Sequence, residues 1–159
     1  MSDRRDHHPV PPDYPAFRGL AADAHAHLLG IGKSVDATGL DKRLTELVKL
    51  RVSQLNGCAF CTALHANIAR KAGVPQVQLD LLAAWRDAGE FSPRDVAALA
   101  WAEHLTRMAQ APIPDDAYAA LREQFSEEEA VQLTVTIGTI NAWNRIAGSL
   151  RFPASQGKL

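Results

Sequence analysis

The sequence predicts an all-α protein, and three observations carry that expectation. Apolar residues recur at spacings of three and four through most of the chain. Ser, Thr or Asp precede the apolar runs and Gly or Pro follow them, the order in which helices start and stop. One stretch, residues 133–140, has the Val, Ile and Thr content of a strand, but it lies behind a strong helix cap. About six or seven helices in one domain follow, without internal repeat or low-complexity tract. The expected boundaries are a flexible N-terminal tail over residues 1–13, a helical domain over 14–152 and a C-terminal tail over 153–159.

Element by element, Phe17, Leu20, Ala21, Ala24, Leu28 and Ile31 place one amphipathic helix over residues 15–35, loosened near Gly30 and Gly32. His25 and His27 share no helical face, so they read as surface or satisfied histidines rather than as a metal pair. The next helix carries Leu40, Leu44, Leu47, Val48, Arg51 and Leu55 on one stripe, with Thr38 or Asp41 as its cap. Glu46 lies just off that stripe, where an isolated glutamate is ordinarily solvated. Asn56-Gly57 ends this helix, and another runs from Cys58 to Gly73 with Pro75 beyond it. Val77, Leu79, Leu81, Leu82 and Trp85 build a short helix, and Ser92-Pro93 opens one containing Val96, Leu99, Trp101, His104 and Met108. His104 reads as a packed core or interface histidine. Asp115 or Asp116 caps a short segment, and the Ser126 to Glu129 capping box starts the last helix. Val131, Val135, Gly138, Trp143 and Ile146 keep near-helical spacing there, which decides for helix over strand.

Composition removes several function classes. A net charge of -1 from 17 basic and 18 acidic residues gives no electrostatic footprint for nucleic acid or an anionic membrane. No apolar run is long enough to span a membrane, and the polar N-terminus lacks the apolar segment of a secretory signal, so a cytoplasmic protein is expected. The two cysteines both lie in one C-x-x-C, which in a reducing compartment is more often catalytic or metal-binding than structural.

Function is expected in residues 46–73. Cys58, Cys61 and His65 fall at i, i+3 and i+7, so their side chains project from one face. The first turn of a helix carries partial positive charge and unpaired N–H groups, which stabilise a thiolate. An i, i+3 pair also has its Cα atoms near the ~5.5 Å that a disulfide prefers. His65 can exchange a proton with Cys61 directly or through one water, and Glu46 supplies a second proton carrier if the turn folds its helix back onto the cysteines. Three readings compete. A structural zinc would want a fourth ligand, and no second C-x-x-C or H-x-x-H provides one. Simple packing accounts poorly for a cysteine pair with an in-register histidine. A redox dithiol is the favoured reading.

The run Glu46-x-x-Lys49-Leu50-Arg51-x-Ser53-Gln54-x-Asn56-Gly57-Cys58-Ala59-Phe60-Cys61-x-x-x-His65 resembles the core motif of the AhpD-like alkylhydroperoxidases of the carboxymuconolactone decarboxylase superfamily. The likeness extends to Trp101, Glu103 and Thr106 and to Ile140, Asn141, Trp143, Asn144 and Arg145. It implies the AhpD-like helical fold with the C-x-x-C at a helix N-terminus, assembled as a homo-oligomer, with a hexamer favoured and a trimer or dimer as alternatives. It further implies a thiol peroxidase in which Cys61 is the peroxidatic thiolate, Cys58 the resolving thiol, and His65 and Glu46 the ends of a proton relay. No cofactor or metal is implied. The partners would be a hydroperoxide and an external dithiol reductant, lipoylated or thioredoxin-like. One departure is Phe60, where the best-studied peroxidase branch has histidine; an apolar neighbour raises the Cys61 pKa and slows turnover. The alternatives are a cofactor-free decarboxylase or isomerase using His65 and Glu46, and a redox-responsive binding protein. An apolar surplus that includes Trp85, Trp101, Trp143 and Phe125 is a further reason to expect an obligate oligomer.

Overall fold

The computed structural model describes residues 9–157, and among them every regular element is helical. The helices are α1 (Tyr14–Leu20), α2 (Ala22–Ala37), α3 (Lys42–Leu55), α4 (Ala59–Lys71), α5 (Gln76–Leu81), α6 (Trp85–Ala88), α7 (Pro93–Thr106), α8 (Ala117–Arg122) and α9 (Glu127–Ser149). Short 3-10 turns cover Leu82–Ala84, which joins α5 to α6, and Ala154–Gly157. The seven expected helices are present, two of them broken. The first breaks at Ala21, whose φ of -129° and ψ of 45° leave the helical region, while α2 continues through Gly30 and Gly32. The short helix after Pro75 is interrupted by the Leu82–Ala84 turn.

α3 is the central helix. Asp41 caps it, its carboxylate accepting the Arg43 N–H at 2.9 Å. Leu44, Val48 and Val52 join one core with Trp101 of α7 and Leu133 and Ile137 of α9. Leu47 and Leu50 face a second core with Ala69, Leu82, Trp85 and Leu99. Burial on two sides draws Glu46, Arg51 and Ser53 inside as well, so each must be partnered. Arg51 answers to Glu103 of α7 at 2.7 Å, and Trp85 Nε1 and Arg86 bond the same carboxylate at 3.0 and 2.7 Å.

α3 ends in a Schellman turn that also sets up α4. Gly57, in the left-handed region at φ 66°, donates to the Gln54 carbonyl at 3.2 Å, and the Cys58 N–H donates to the Ser53 carbonyl at 3.0 Å. Cys58 then leaves in an extended conformation as the N-cap of α4. One residue therefore closes the first helix and opens the second.

Of the residues whose spacing predicts α9, Val131, Val135 and Gly138 face solvent, and the buried face is Ala130, Leu133, Ile137, Ile140, Asn144 and Ala147. The Thr- and Val-rich helix is apolar on most sides, so spacing alone did not single out the inner one. Trp85, Trp101 and Phe125 are buried within one chain, because α3 supplies two core faces rather than one, and they give no surplus for an interface. Of the expected C-terminal tail over residues 153–159, residues 154–157 form a turn. The Ala154–Gly157 turn docks on α4, and Gln156 accepts the Tyr14 N–H at 3.2 Å and donates to the Asp13 carboxylate at 3.1 Å. Of the N-terminal tail, residues 1–8 and its flexibility lie outside the described residues; Asp13 caps α1.

Candidate active site

Cys58 and Cys61 are both free and buried at the start of α4, with their Sγ atoms 2.7 Å apart. The two thiols are hydrogen-bonded to each other, and Cys58 Sγ, as a helix cap, accepts the Cys61 backbone N–H at 3.3 Å. The Cys61 thiol bond pulls the Cys58 pKa down to about 7 against the opposing effect of burial, and the Cys61 and Phe60 backbone N–H groups add to the pull. Cys61 moves the other way, because ionising it would sacrifice its bond to Cys58, with burial and the Cys58 charge adding to the rise and the Asn144 side chain opposing it. The reduced pair therefore shares a proton held at the Cys61 end.

Glu46 is not a solvated glutamate. With 1% of its surface exposed, it bonds His65 Nδ1 at 2.7 Å through one oxygen, and through the other Lys49 at 2.7 Å and Lys42 at 3.1 Å. Burial alone would raise its pKa, but His65 and Lys49 overcome that and hold the carboxyl well below the usual carboxylate range. The condition set by the sequence, that the turn fold α3 back on α4, is met.

A cavity of about 400 Å³ opens beside this group. Its walls include Leu28 and Ile31 of α2, Leu64 of α4 and Ile140 and Trp143 of α9, and Cys61, His65 and Glu46 reach it. Cys58 is not among its lining residues. Cys61 and His65 both line this cavity, and no direct hydrogen bond joins them among the described residues. Phe60 packs against Tyr14 and Phe152 at ring distances of 5.1 and 5.5 Å, which fixes the start of α4 against α1 and the C-terminal segment. No group of three or more His, Cys, Asp or Glu among the described residues is placed to hold a metal ion.

The structure thus brings all four site residues of the sequence reading together. Lys42, Lys49 and Asn144 were missed as site residues. Spacing signalled the lysines, which lie four before and three after Glu46. Asn144 ties α9 to the end of α3 through Asn56 and Ser53, and no local pattern announces that. His25 is satisfied, with Nε2 3.0 Å from Tyr14 Oη, and His27 bonds the Asp23 carbonyl at 2.6 Å. His104 is half-buried.

Comparison with known proteins gives the family and the fold. Residues 22–104 match the model of the carboxymuconolactone decarboxylase family. The uncharacterized protein YdfG of Bacillus subtilis is 37% identical over 132 residues, 83% of this chain and 90% of its own length. The crystal structure of ATU0492 from Agrobacterium tumefaciens, a protein of unknown function with a suggested AhpD antioxidant-defence role, superposes with a TM-score of 0.82 at 37% identity, over 86% of this chain and 95% of that one. The debrominase Bmp8, solved as a cysteine-to-alanine variant in complex with 2,3,4-tribromopyrrole, shares the fold at a TM-score of 0.76 and 19% identity, over 87% and 74% of the two chains. On the family match and these likenesses, the chain is an AhpD-like member of the carboxymuconolactone decarboxylase family.

Proposed function

We propose that the protein is a thiol-dependent reductase of organic hydroperoxides. The observation that carries this reading is the placement of Cys61 on the cavity wall, with Cys58 2.7 Å behind it and the His65 and Glu46 pair at the same cavity. Acidity favours Cys58 and access favours Cys61; access decides, because the shared proton can cross to Cys58 whereas the substrate cannot. With its proton passed to Cys58, the Cys61 thiolate attacks the terminal peroxide oxygen. The S–O bond forms as the O–O bond breaks, and the leaving alkoxide takes a proton delivered through His65, which Glu46 holds at Nδ1. Cys61 is now a sulfenic acid. The Cys58 sulfur attacks it, the hydroxyl leaves with the Cys58 proton as water, and a disulfide forms. An external dithiol, on a lipoylated or thioredoxin-like protein, returns two electrons and two protons and becomes a disulfide itself.

The apolar walls favour an alkyl or aryl hydroperoxide over hydrogen peroxide. Cys61→Ser abolishes peroxide consumption coupled to a dithiol, and Cys58→Ser leaves one trappable sulfenic equivalent per chain. Wild-type consumption by Cys61→Ser would refute the assignment. The decarboxylase reading rests on His65 and Glu46 alone; lactone turnover that survives alkylation of both thiols would favour it.

A further inference from the structure

We propose that Lys49 is a positioning residue that sets the tautomer of His65: by holding Glu46 as an anion, it keeps the hydrogen of the neutral imidazole on Nδ1 and leaves the Nε2 lone pair to exchange protons with the cavity. The inference rests on the peroxidase reading for its purpose, though the tautomer itself does not.

The assignment follows from which atoms can carry hydrogen. Glu46 Oε1 receives the Lys49 ammonium at 2.7 Å and the Lys42 ammonium at 3.1 Å, and Oε2 lies 2.7 Å from His65 Nδ1. An ammonium only donates, so Oε1 has no place for a proton of its own. A proton on Glu46 would therefore sit on Oε2 and point at Nδ1, which would have to accept it, and the ring hydrogen would move to Nε2. An ionised Glu46 requires the reverse. Its Oε2 can only accept, so Nδ1 carries the hydrogen and Nε2 keeps a lone pair. His65 lines the cavity with Nδ1 turned to Glu46, so Nε2 is the ring nitrogen left for a bound molecule.

Lys49, rather than Lys42, decides between the two states. Lys42 is half-exposed and divides its ammonium between Glu46 and both oxygens of Asp36, at 3.0 and 2.8 Å. The Lys49 side chain is 15% exposed, and among the described residues its ammonium bonds Glu46 alone. Glu46 is 1% exposed, so water cannot replace a lost cation, and a buried carboxylate short of one takes up a proton. The other ionisable groups at the cavity do not stand in for it. On α4 Cys61 is bonded to Cys58 behind it. Lys33 and Asp36 line the cavity from α2, and Tyr14 of α1 has its hydroxyl 3.0 Å from His25 Nε2. The lining residues of α9 are threonines, Ile140 and Trp143, none of them ionisable. Among the described residues, none of these groups bonds Glu46 or His65.

Nitrogen NMR of isotope-labelled histidine, with the His65 signals identified by their loss in His65→Asn, reads the tautomer from neutral to alkaline pH. In the wild type Nδ1 should carry the hydrogen of the neutral ring throughout. In Lys49→Met, which removes the charge and fills much of the same space, it should sit on Nε2 near neutral pH and return to Nδ1 as the carboxyl ionises at higher pH. Lys49→Arg should restore the wild-type pattern. Peroxide consumption by Lys49→Met should fall about tenfold in kcat at neutral pH with KM little changed, and it should recover with rising pH, which a merely structural loss would not do. A neutral wild-type ring protonated at Nε2 overturns the proposal without any variant, and so decides it even if Lys49→Met fails to fold. A Lys49→Met protein that melts cooperatively and keeps the wild-type tautomer at neutral pH overturns it too, as does a larger effect from Lys42→Met. The expected tautomers in a protein that consumes no hydroperoxide sustain Lys49 and sink the peroxidase reading instead.

Discussion

At the scale of single residues, the site works by keeping charged groups matched while buried. Glu46 holds two lysines and His65, and replacing it with Gln removes the charge and keeps the shape. Glu46→Gln should lower kcat about a hundredfold, the size of a lost acid–base partner, with KM little changed; steady-state assays with an organic hydroperoxide check this. Equal loss in Glu46→Gln and in a variant distant from the cavity would mean that Glu46 only supports the fold. Its pKa also fixes the direction of a pH effect. A carboxyl depressed below its usual 4.5 contributes stability that is fully present above that pH and is lost as pH falls further. Glu103, held down to about 2 by Trp85, Arg86 and Arg51 against the opposing effect of burial, acts with the same sign. The two carboxyls should therefore make stability fall as pH drops below about 5, and Glu103→Gln should flatten that acid limb.

At the scale of elements, the helix ends decide where functional atoms stand. Among the described residues, Schellman turns follow α3, α4 and α9. The first two use Gly57 and Gly73, whereas the third puts Arg151 at φ 56°. A non-glycine residue there carries backbone strain of order 1 kcal/mol. Arg151→Gly should raise stability by about 0.5–1 kcal/mol in urea unfolding, and a loss would show that the exposed side chain matters more than the strain. Gly157 has the opposite sensitivity. A Cβ there would lie 2.6 Å from the Phe60 carbonyl oxygen, at the residue before Cys61. Gly157→Ala should cost about 1–3 kcal/mol and lower Tm by several degrees, and it should slow peroxide turnover by shifting the start of α4.

At the scale of the molecule, the apolar surface that the tryptophans do not provide lies on α2 and α9. Leu29 and Ile31 on α2 and Val131 and Val135 on α9 are 43, 38, 51 and 38% exposed, on two helices that pack together. α2 buries only Val35 in its own chain, an unusual state for a helix of 16 residues. A homo-oligomer, with a hexamer favoured, would cover this face while α2 walls the cavity. Light scattering at micromolar concentration should give a multiple of 17.3 kDa, and Val135→Glu should reduce it. A wild-type mass of one chain sinks the prediction.

What the sequence determined by itself is whatever depends on near neighbours. Helical spacing, caps and breakers are local, so the all-α class and the position of Cys58 at the head of α4 were legible in it. The turn at Asn56-Gly57 was legible too, and with it the possibility that Glu46 returns to His65. Only the tertiary structure decided that it does so, since α3 had to be buried on two sides before Glu46 could lose its water. It also chose the inner face of α9, which the even apolarity of that helix left undetermined, and docked the Ala154–Gly157 turn through bonds to residues 142 and 143 positions away. Asn144 is the sharpest case: its amide is oriented by Asn56 and Ser53, 88 and 91 positions distant, and no period within a helix encodes a hydrogen bond that only packing can aim.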